Sequence, residues 1–426
     1  MSTRDRALDS VTAAHASPPG ARAQAHLARH ARQLWPGATA ALIALVLVGA
    51  APRPAAGQQA ISEVLSFLVT NRSIPTGDFT RDEQAAAATS ETISAFLLSE
   101  LAAVPVSASA GGFTYRLDPA LGVVVRATDS FGPFFTDRSL TAGEGRASLG
   151  ISYQGEYFVR ADGRSLRDGT LVSTASTLRG DPQPFDVETV TLRIRTDTMT
   201  LSGNYGLNDR VDLSAAIPLV RLTLSGQRID TYRGRALIQA TGSGSAAGIG
   251  DIVVRAKYNV VRRGGSGFAV SAESQLPTGN KENLLGAGKA TIRPRAIASF
   301  EADRVTAHGD VGYSFGGLSD ELDYNGALTV TANPRLTLIG EVVGRRLESF
   351  GRLTQTTTPH PTLTGVDTIR LTGTQEASQR IFAVAGVKWN VTGTWLISAN
   401  ILRPLTRAGL NTRWVPTVSL DYSFEQ

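Results

Sequence analysis

The chain has 426 residues, with 42 Lys+Arg against 37 Asp+Glu, no cysteine and two methionines. A chain without cysteine has no disulfide framework, thiolate zinc site or cysteine nucleophile, and 43 glycines with a mean hydropathy of −0.04 exclude a polytopic helical membrane protein, whose spans each need ~20 apolar residues. The basic balance is local: residues 1–57 hold six Arg and two Asp, and without them 36 basic and 35 acidic residues remain, which leaves no concentrated basic patch for nucleic acid.

The first apolar run, Ala38–Ala51 (ATAALIALVLVGAA), is too short and alanine-rich for a transmembrane helix and has the length of a signal-peptide core. Arg29 and Arg32 precede it, Ala55-Ala56-Gly57 offers a cleavage site before Gln58, and Gly49-Ala50-Ala51 offers a second. The stretch ahead of the run is long for a leader, which points to a start codon downstream of Met1. Residues 1–57 are therefore expected to be a cleaved leader that exports the rest; a membrane anchor is the competing reading.

Residues 58–110 read as a helical segment. Ile61, Val64, Leu65 and Leu68 fall on one helical face. A second helix is predicted from about Thr80, where Thr80 and Glu83 have capping-box spacing, and Ile93, Phe96, Leu97 and Leu101 continue an apolar stripe up to Pro105. The segment is expected either to plug a lumen, with Ile61, Leu65, Leu68, Phe96 and Leu97 packed together and Arg81, Asp82 and Glu83 facing lumen charges, or to meet a partner outside. Residues 111–145 read as a hairpin around Asp118-Pro119 that leads into the next region. Its aromatics Phe113, Tyr115, Phe131, Phe134 and Phe135 suit packing, or the lining of a greasy site.

From Gly145 the period becomes two and stays so. Twelve strands are predicted, at about 146–160, 188–204, 209–222, 250–261, 267–277, 291–302, 304–315, 323–332, 335–347, 379–390, 394–404 and 413–424. Most have the ~9–11 residues that a tilted strand needs to cross a bilayer. Short connections such as Tyr205–Asn208, Asp303 and Asn333-Pro334 alternate without exception with long ones such as 161–187, 223–249 and 348–378. That alternation is expected of an up-and-down barrel with tight periplasmic turns and long external loops. One face of each strand is apolar and the other charged: Ile252, Val254, Ala256, Tyr258 and Val260 alternate with Asp251, Val253, Arg255, Lys257 and Asn259. So few helices remain that lipid is the cover left for the apolar faces, and closure removes the sheet edges. The predicted fold is all-β, a transmembrane antiparallel up-and-down barrel of about 12 strands over residues 146–426, or 14 if the 113–128 hairpin joins it, behind an N-terminal helical segment. The end of the chain, Val418–Phe424, resembles the C-terminal signal by which bacterial outer-membrane barrels reach their assembly machinery, with Glu425 and Gln426 as a departure.

Three stretches carry a wider resemblance: YGLNDRVDLSAAIPLV (Tyr205–Val220), GIGDIVVRAKYNV (Gly248–Val260) and LPTGNKENLLGAG (Leu276–Gly288). They resemble the outer-membrane barrels associated with meta-pathway phenol degradation, over residues 140–426. The resemblance implies outer-membrane residence in a Gram-negative cell, contact with its lipid, and uptake of small, hydrophobic or aromatic permeants. It brings no catalytic motif and no cofactor.

Turn positions bring Arg255, Glu273, Arg295 and Asp310 into an inward row of alternating sign across four strands, with the pairs Arg255–Glu273, Glu273–Arg295 and Arg295–Asp310. Lys257, Arg293, Glu301, Glu341, Arg345 and Asp421 point inward by the same count. The row reads as a constriction that orients a permeant or holds the helical segment, or as a structural ladder in a polar lumen. Residues 242–250 (GSGSAAGIG) lack the Lys-Ser/Thr of a phosphate loop and read as a flexible loop. Past the leader only His308 and His360 remain, with no nucleophile motif beside either, so catalysis and a metal site are not expected. The alternative to transport is a structural or adhesive barrel that acts through loops 161–187, 223–249 and 348–378, although these carry few aromatics.

Overall fold

Alternation with a period of two carries the chain from Ala147 to Phe424 into one closed antiparallel sheet. The computed structural model describes residues 59–102, 112, 114–118, 123–126, 128, 130–181 and 183–424. The proposed leader, Phe113 and Pro105 lie outside the described residues.

Two helices come first, α1 (Ile61–Val69) and α2 (Phe79–Ala102), followed by β1 (Tyr115–Asp118) and β2 (Val123–Arg126). The closed sheet then takes β3 (Ala147–Ala161), β4 (Arg164–Ser165), β5 (Leu171–Leu178), β6 (Asp186–Asn208), β7 (Val211–Tyr232) and β8 (Arg235–Ile249). It continues through β9 (Ile252–Arg263), β10 (Ser266–Leu276), β11 (Thr291–Ala302), β12 (Val305–Gly316), β13 (Glu321–Asn333) and β14 (Leu336–Leu347). It ends with β15 (Arg352–Pro359), β16 (Val366–Thr374), β17 (Ser378–Asn390), β18 (Trp395–Pro404), β19 (Leu410–Thr412) and β20 (Val415–Phe424).

Twelve strands build the full-height wall: β3, β6, β7, β9 to β14, β17, β18 and β20, with β20 paired to β3 to close it. The hairpin β1–β2 stays a separate two-stranded sheet, so the barrel is the 12-stranded one. Its strands have four residues each, less than half of what a crossing needs.

The long connections are not loops. Strands β6 and β7 run on for 23 and 22 residues, because their alternation does not stop at the bilayer height. Above the β7–β9 pairing, β7 takes β8 as its partner, and β15–β16 form a second tall hairpin. Strand β16 then pairs with β5, and β5 with β6. These pairings satisfy edges that would otherwise be bare, and they raise one side of the wall well above the rest. The Gly-rich stretch 242–250 is mostly part of β8 and not a flexible loop.

Helix α2 starts at Phe79, one residue before the predicted cap, Thr80. The Arg81 N–H donates to Asp78 Oδ1 at 3.3 Å, so Asp78, not Thr80, caps the helix. Both helices lie against inward-facing wall residues. Ile61, Val64, Leu65 and Leu68 of α1 are buried with Ile93, Phe96, Leu97 and Leu101 of α2, and with Leu192, Leu222 and Leu224 of β6 and β7.

Candidate functional site: the filled lumen

Two stretches that precede the wall occupy its interior, and they are held in different ways. The first is the helix pair. On the inward face of β7 and β8 stand Gly226, Gly242 and Gly244, and α1 fits against them. A Cβ on Gly244 would stand 3.0 Å from Ile61 Cδ1, and one on Gly242 would stand 3.4 Å from Leu68 and Val64. Here the glycines make room for a helix rather than permit a turn.

Wall arginines hold the helix ends. Arg228 donates from Nη1 to the Phe67 carbonyl at 2.9 Å and also to that of Thr70, the last carbonyls of α1. These are the carbonyls a helix leaves unpaired, at the negative end of its dipole. Arg370 reaches Asp82 of α2 at 2.6 Å, and Arg345 donates to the Ser99 carbonyl at 2.9 Å. Arg380 donates to Ser99 Oγ at 2.9 Å and pairs with Glu100. Of the three charges expected to face the lumen, only Asp82 does so. Arg81 and Glu83 are exposed, since neighbours on a helix are about 100° apart and three in a row cannot share a face.

The second stretch, residues 130–146, is irregular and crosses the lumen nearer the short-turn end. Glu341 accepts the N–H groups of Phe134, Phe135 and Thr136, the latter two at 3.0 and 2.9 Å, and the Thr136 hydroxyl at 3.1 Å. Asp310 accepts the Asp137 N–H at 2.7 Å, and Asp212 accepts that of Ala142 at 3.0 Å. Lys257 donates to the carbonyls of Arg138 and Leu140 at 3.2 and 2.6 Å, and Lys388 to that of Pro133 at 2.9 Å. Phe131 packs on Leu396, and Phe134 sits among Ile339, Val343, Phe382 and Val384, so these rings anchor the segment.

Between the two inserts runs a ladder of charge. Arg255 donates from Nε to Glu273 at 2.9 Å and pairs with Asp137 at 2.7 Å. Glu273 also takes Arg293 at 3.1 Å, and Arg293 reaches Glu321 at 3.5 Å. Arg345 grips Glu321 with two bonds, at 2.7 and 2.6 Å. Arg295 lies between Asp310 and Asp323, the latter at 2.7 Å. The ladder therefore links Asp137 of the irregular insert to Ser99 of α2.

The wall register differs from the expected row at two steps. Arg255 stands opposite Glu273, but Glu273 stands opposite Arg293 instead of Arg295, and Asp310 stands opposite Ile297. The reversal after β11 uses two residues, Asp303 (φ 52°) and Arg304, where a single residue was expected, and this slides β12 by two. A slide of two keeps every side chain on its face, so Arg295 still meets Asp310 diagonally.

Asp137, Asp212, Glu321 and Asp323 belong to the network although the sequence did not single them out. Asp137 sits in an irregular stretch with no period to read, and Glu321 falls between the predicted strands 304–315 and 323–332. Arg228 and Arg370 lie on the tall hairpins, where extending the period-two count would have found them.

Strand pairing also brings Ser299 opposite His308, with Oγ and Nδ1 2.9 Å apart, a neighbour the linear sequence does not reveal. Ser299 Oγ accepts the Ser139 N–H at 2.9 Å, and His308 Nε2 faces Thr329 at 3.5 Å rather than a carboxylate. The pair is covered and has no orienting acid, as a hydrolytic triad would require. Among the described residues no group of three or more His, Cys, Asp or Glu is placed to hold a metal ion.

Residues 165–413 match the family described as "Putative MetA-pathway of phenol degradation". No curated protein matches the sequence. Among solved structures, the chain is similar to an outer membrane channel from Pseudomonas putida F1, with a TM-score of 0.46 and 12% identity over 67% of this chain and 98% of that one. It is similar also to a FadL homologue from Pseudomonas aeruginosa, with a TM-score of 0.32 and 11% identity over 76% of this chain and 97% of that one. A third is the CymD monoaromatic hydrocarbon channel, with a TM-score of 0.26 and 11% identity over 67% of this chain and 90% of that one.

Proposed function

The chain belongs to this family, and from that membership we propose that it is an outer-membrane channel for small hydrophobic or aromatic compounds, working by passive diffusion under the control of an N-terminal plug. The division of the chain follows: 1–57 a leader removed on export, 58–110 the plug, 111–145 the segment that leads into the wall, and 146–426 the barrel. The short turns then face the periplasm and the tall hairpins face outward. The aromatic end of β20, Tyr422 and Phe424, is the feature the assembly machinery would read.

The observation that carries the reading is that the segment ahead of the wall lies inside it. Around it the outward faces are apolar (Leu149, Leu213, Val270, Phe300 and Leu328 are all exposed), as lipid requires. The family's association with phenol degradation supports a small aromatic permeant. The charged ladder and the covered Ser299–His308 pair fit a passage that orients and filters better than one that reacts.

The test is single-channel recording in planar bilayers, comparing the mature chain with one lacking residues 58–105. The deletion should raise conductance, and vesicle uptake of phenol-sized aromatics should rise with it. Unchanged conductance from a folded barrel would place the segment outside the pathway and favour a role in partner contact.

A further inference from the structure

The outward wall is not uniform around the barrel at the height where it leaves the bilayer. A tilted strand crosses in ~9–11 residues. Counted up from the turn between β6 and β7, that length ends at Arg221, the eleventh residue of β7, which is paired directly with Asp197 of β6. The same count up from the short-turn end reaches Tyr157 on β3, Trp414 just ahead of β20, and Leu405 just past β18. Tyr157, Trp414 and Leu405 are exposed at 51%, 55% and 57%, as membrane-boundary residues are.

On this side, five arginines gather along neighbouring strands. Arg195 lies over the Tyr157 ring at 4.8 Å, bonds its hydroxyl at 2.6 Å and reaches Asp197 at 2.8 Å. Arg193, one outward position above on β6, is exposed. Arg221 faces Asp197 from β7, and Arg167 approaches Tyr157 from above at 5.8 Å. Arg403 of β18 lies over Trp414 at 5.0 Å. Asp197 is the carboxylate that Arg195 and Arg221 face, and the Tyr153 hydroxyl already donates to it at 2.6 Å. On the opposite side the same height carries Val254, Ile292 and Phe315, and Arg346 there is paired with Glu348 at 3.4 Å.

We propose that this one-sided arc binds the phosphate groups of an anionic glycolipid in the outer leaflet. Guanidinium groups suit phosphate because two parallel N–H donors match two phosphate oxygens. The Tyr157 ring lies beneath Arg195 and Arg167, and the Trp414 ring beneath Arg403. Arg193 and Arg221 stand exposed beside them, and the apolar wall below takes the acyl chains. A lipid is the source of phosphate that fits, because the arc lies on the outside of the wall and just above an apolar belt, where a soluble anion gains nothing from the surface below. The inference depends on residence in the outer leaflet's membrane and not on an open or gated pore.

The test uses the full mature chain in detergent, with diphosphorylated lipid A and its dephosphorylated form as probes, read by native mass spectrometry. Each arginine near a charged headgroup contributes about fivefold in binding. Arg195→Gln with Arg221→Gln should therefore weaken the diphosphorylated lipid about 25-fold, Arg221→Gln alone about fivefold, and Arg346→Gln not at all. Heat-modifiable gel migration confirms that each variant is folded. Arg221 is exposed on the outward face of β7, so its single variant decides the matter if the double one misfolds. The proposal is overturned if the dephosphorylated lipid binds equally well, if Arg221→Gln and Arg346→Gln behave alike, or if inorganic pyrophosphate displaces the lipid at equal concentration.

Discussion

The seat of α1 gives the sharpest handle on the proposed plug. Gly244 faces inward on β8, and its Cβ would stand 3.0 Å from Ile61 Cδ1 and 3.3 Å from Val64 Cγ2. Valine or leucine there must enter space the helix already holds, and its nearest contacts are helix side chains, not wall backbone. Gly226 is different: its Cβ would also lie 2.5 Å from the Thr191 carbonyl, so a side chain there damages the wall itself. At Gly242 the added Cβ meets Leu68 and Val64 at an ordinary 3.4 Å. Alanine at 242 is therefore expected to be silent, alanine at 244 mild, and leucine at 244 strongly unseating, with the barrel intact.

Overpacking a filled interior costs about 1–3 kcal/mol. Taken from the seated helix, that loss multiplies the unseated fraction by about 5–150. Because the chain has no cysteine, a single Leu65→Cys on α1 gives a background-free probe. Leu65 is 1% exposed when seated, so labelling by a small thiol reagent reports unseating. The Gly244→Leu variant should be labelled faster by that factor and should spend more time at high conductance. If a folded Gly244→Leu barrel is labelled no faster than its parent, contact with the glycine face is not what holds α1, and the reasoning fails.

Further outcomes are expected elsewhere in the lumen. Arg295→Glu puts a third carboxylate beside Asp310 and Asp323 and should lower barrel stability by about 3–5 kcal/mol, measured by urea unfolding in detergent. Glu341→Gln keeps the shape but removes the charge that gathers three N–H groups, and it should raise protease cleavage within 130–146 by about tenfold. Burial, with Asp230 and Glu188 beside it, pushes the Asp186 carboxyl up to about 7 on the tall β6–β7 hairpin. A carboxyl raised in the folded state costs stability when ionised, so amide protection factors in that hairpin, corrected for the intrinsic pH dependence of exchange, should rise as pH falls from 8 towards 5, and Asp186→Asn should abolish the rise.

The wall was legible because it repeats. A period of two, sustained over strands such as Val305–Gly316 and Ile252–Arg263, reports both a strand and the face each side chain takes. Loop lengths then gave order and closure. Register was less legible, since it depends on how many residues a turn consumes, and one residue miscounted at Asp303 moved Asp310 past Arg295. The tall hairpins were missed because residues 223–249 are poor in large apolar side chains: β8 offers glycine and alanine where a strand usually offers branched residues. Their meaning appears only with α1 in place. The irregular insert was illegible for a different reason, since no local pattern tells Phe134 or Asp137 which wall carboxylate or guanidinium will meet it.

That last difference bears on which insert can move. A helix satisfies its own backbone, so the wall needs to supply partners only at its ends, and it does so through Arg228, Arg345, Arg370 and Arg380. An irregular segment has no internal ladder, so its buried N–H and carbonyl groups must each find a wall side chain. Residues 130–146 are stitched accordingly, by Glu341, Asp310, Asp212, Ser299, Lys257, Lys388 and Asn259. Withdrawing the helix pair breaks a few end contacts and exposes an apolar stripe that can refold on itself. Withdrawing the irregular segment would strand carboxylates and lysines in the lumen together with the backbone groups they hold. On the proposed plug reading, the helices are the removable element and residues 130–146 the constriction that would remain and limit what passes.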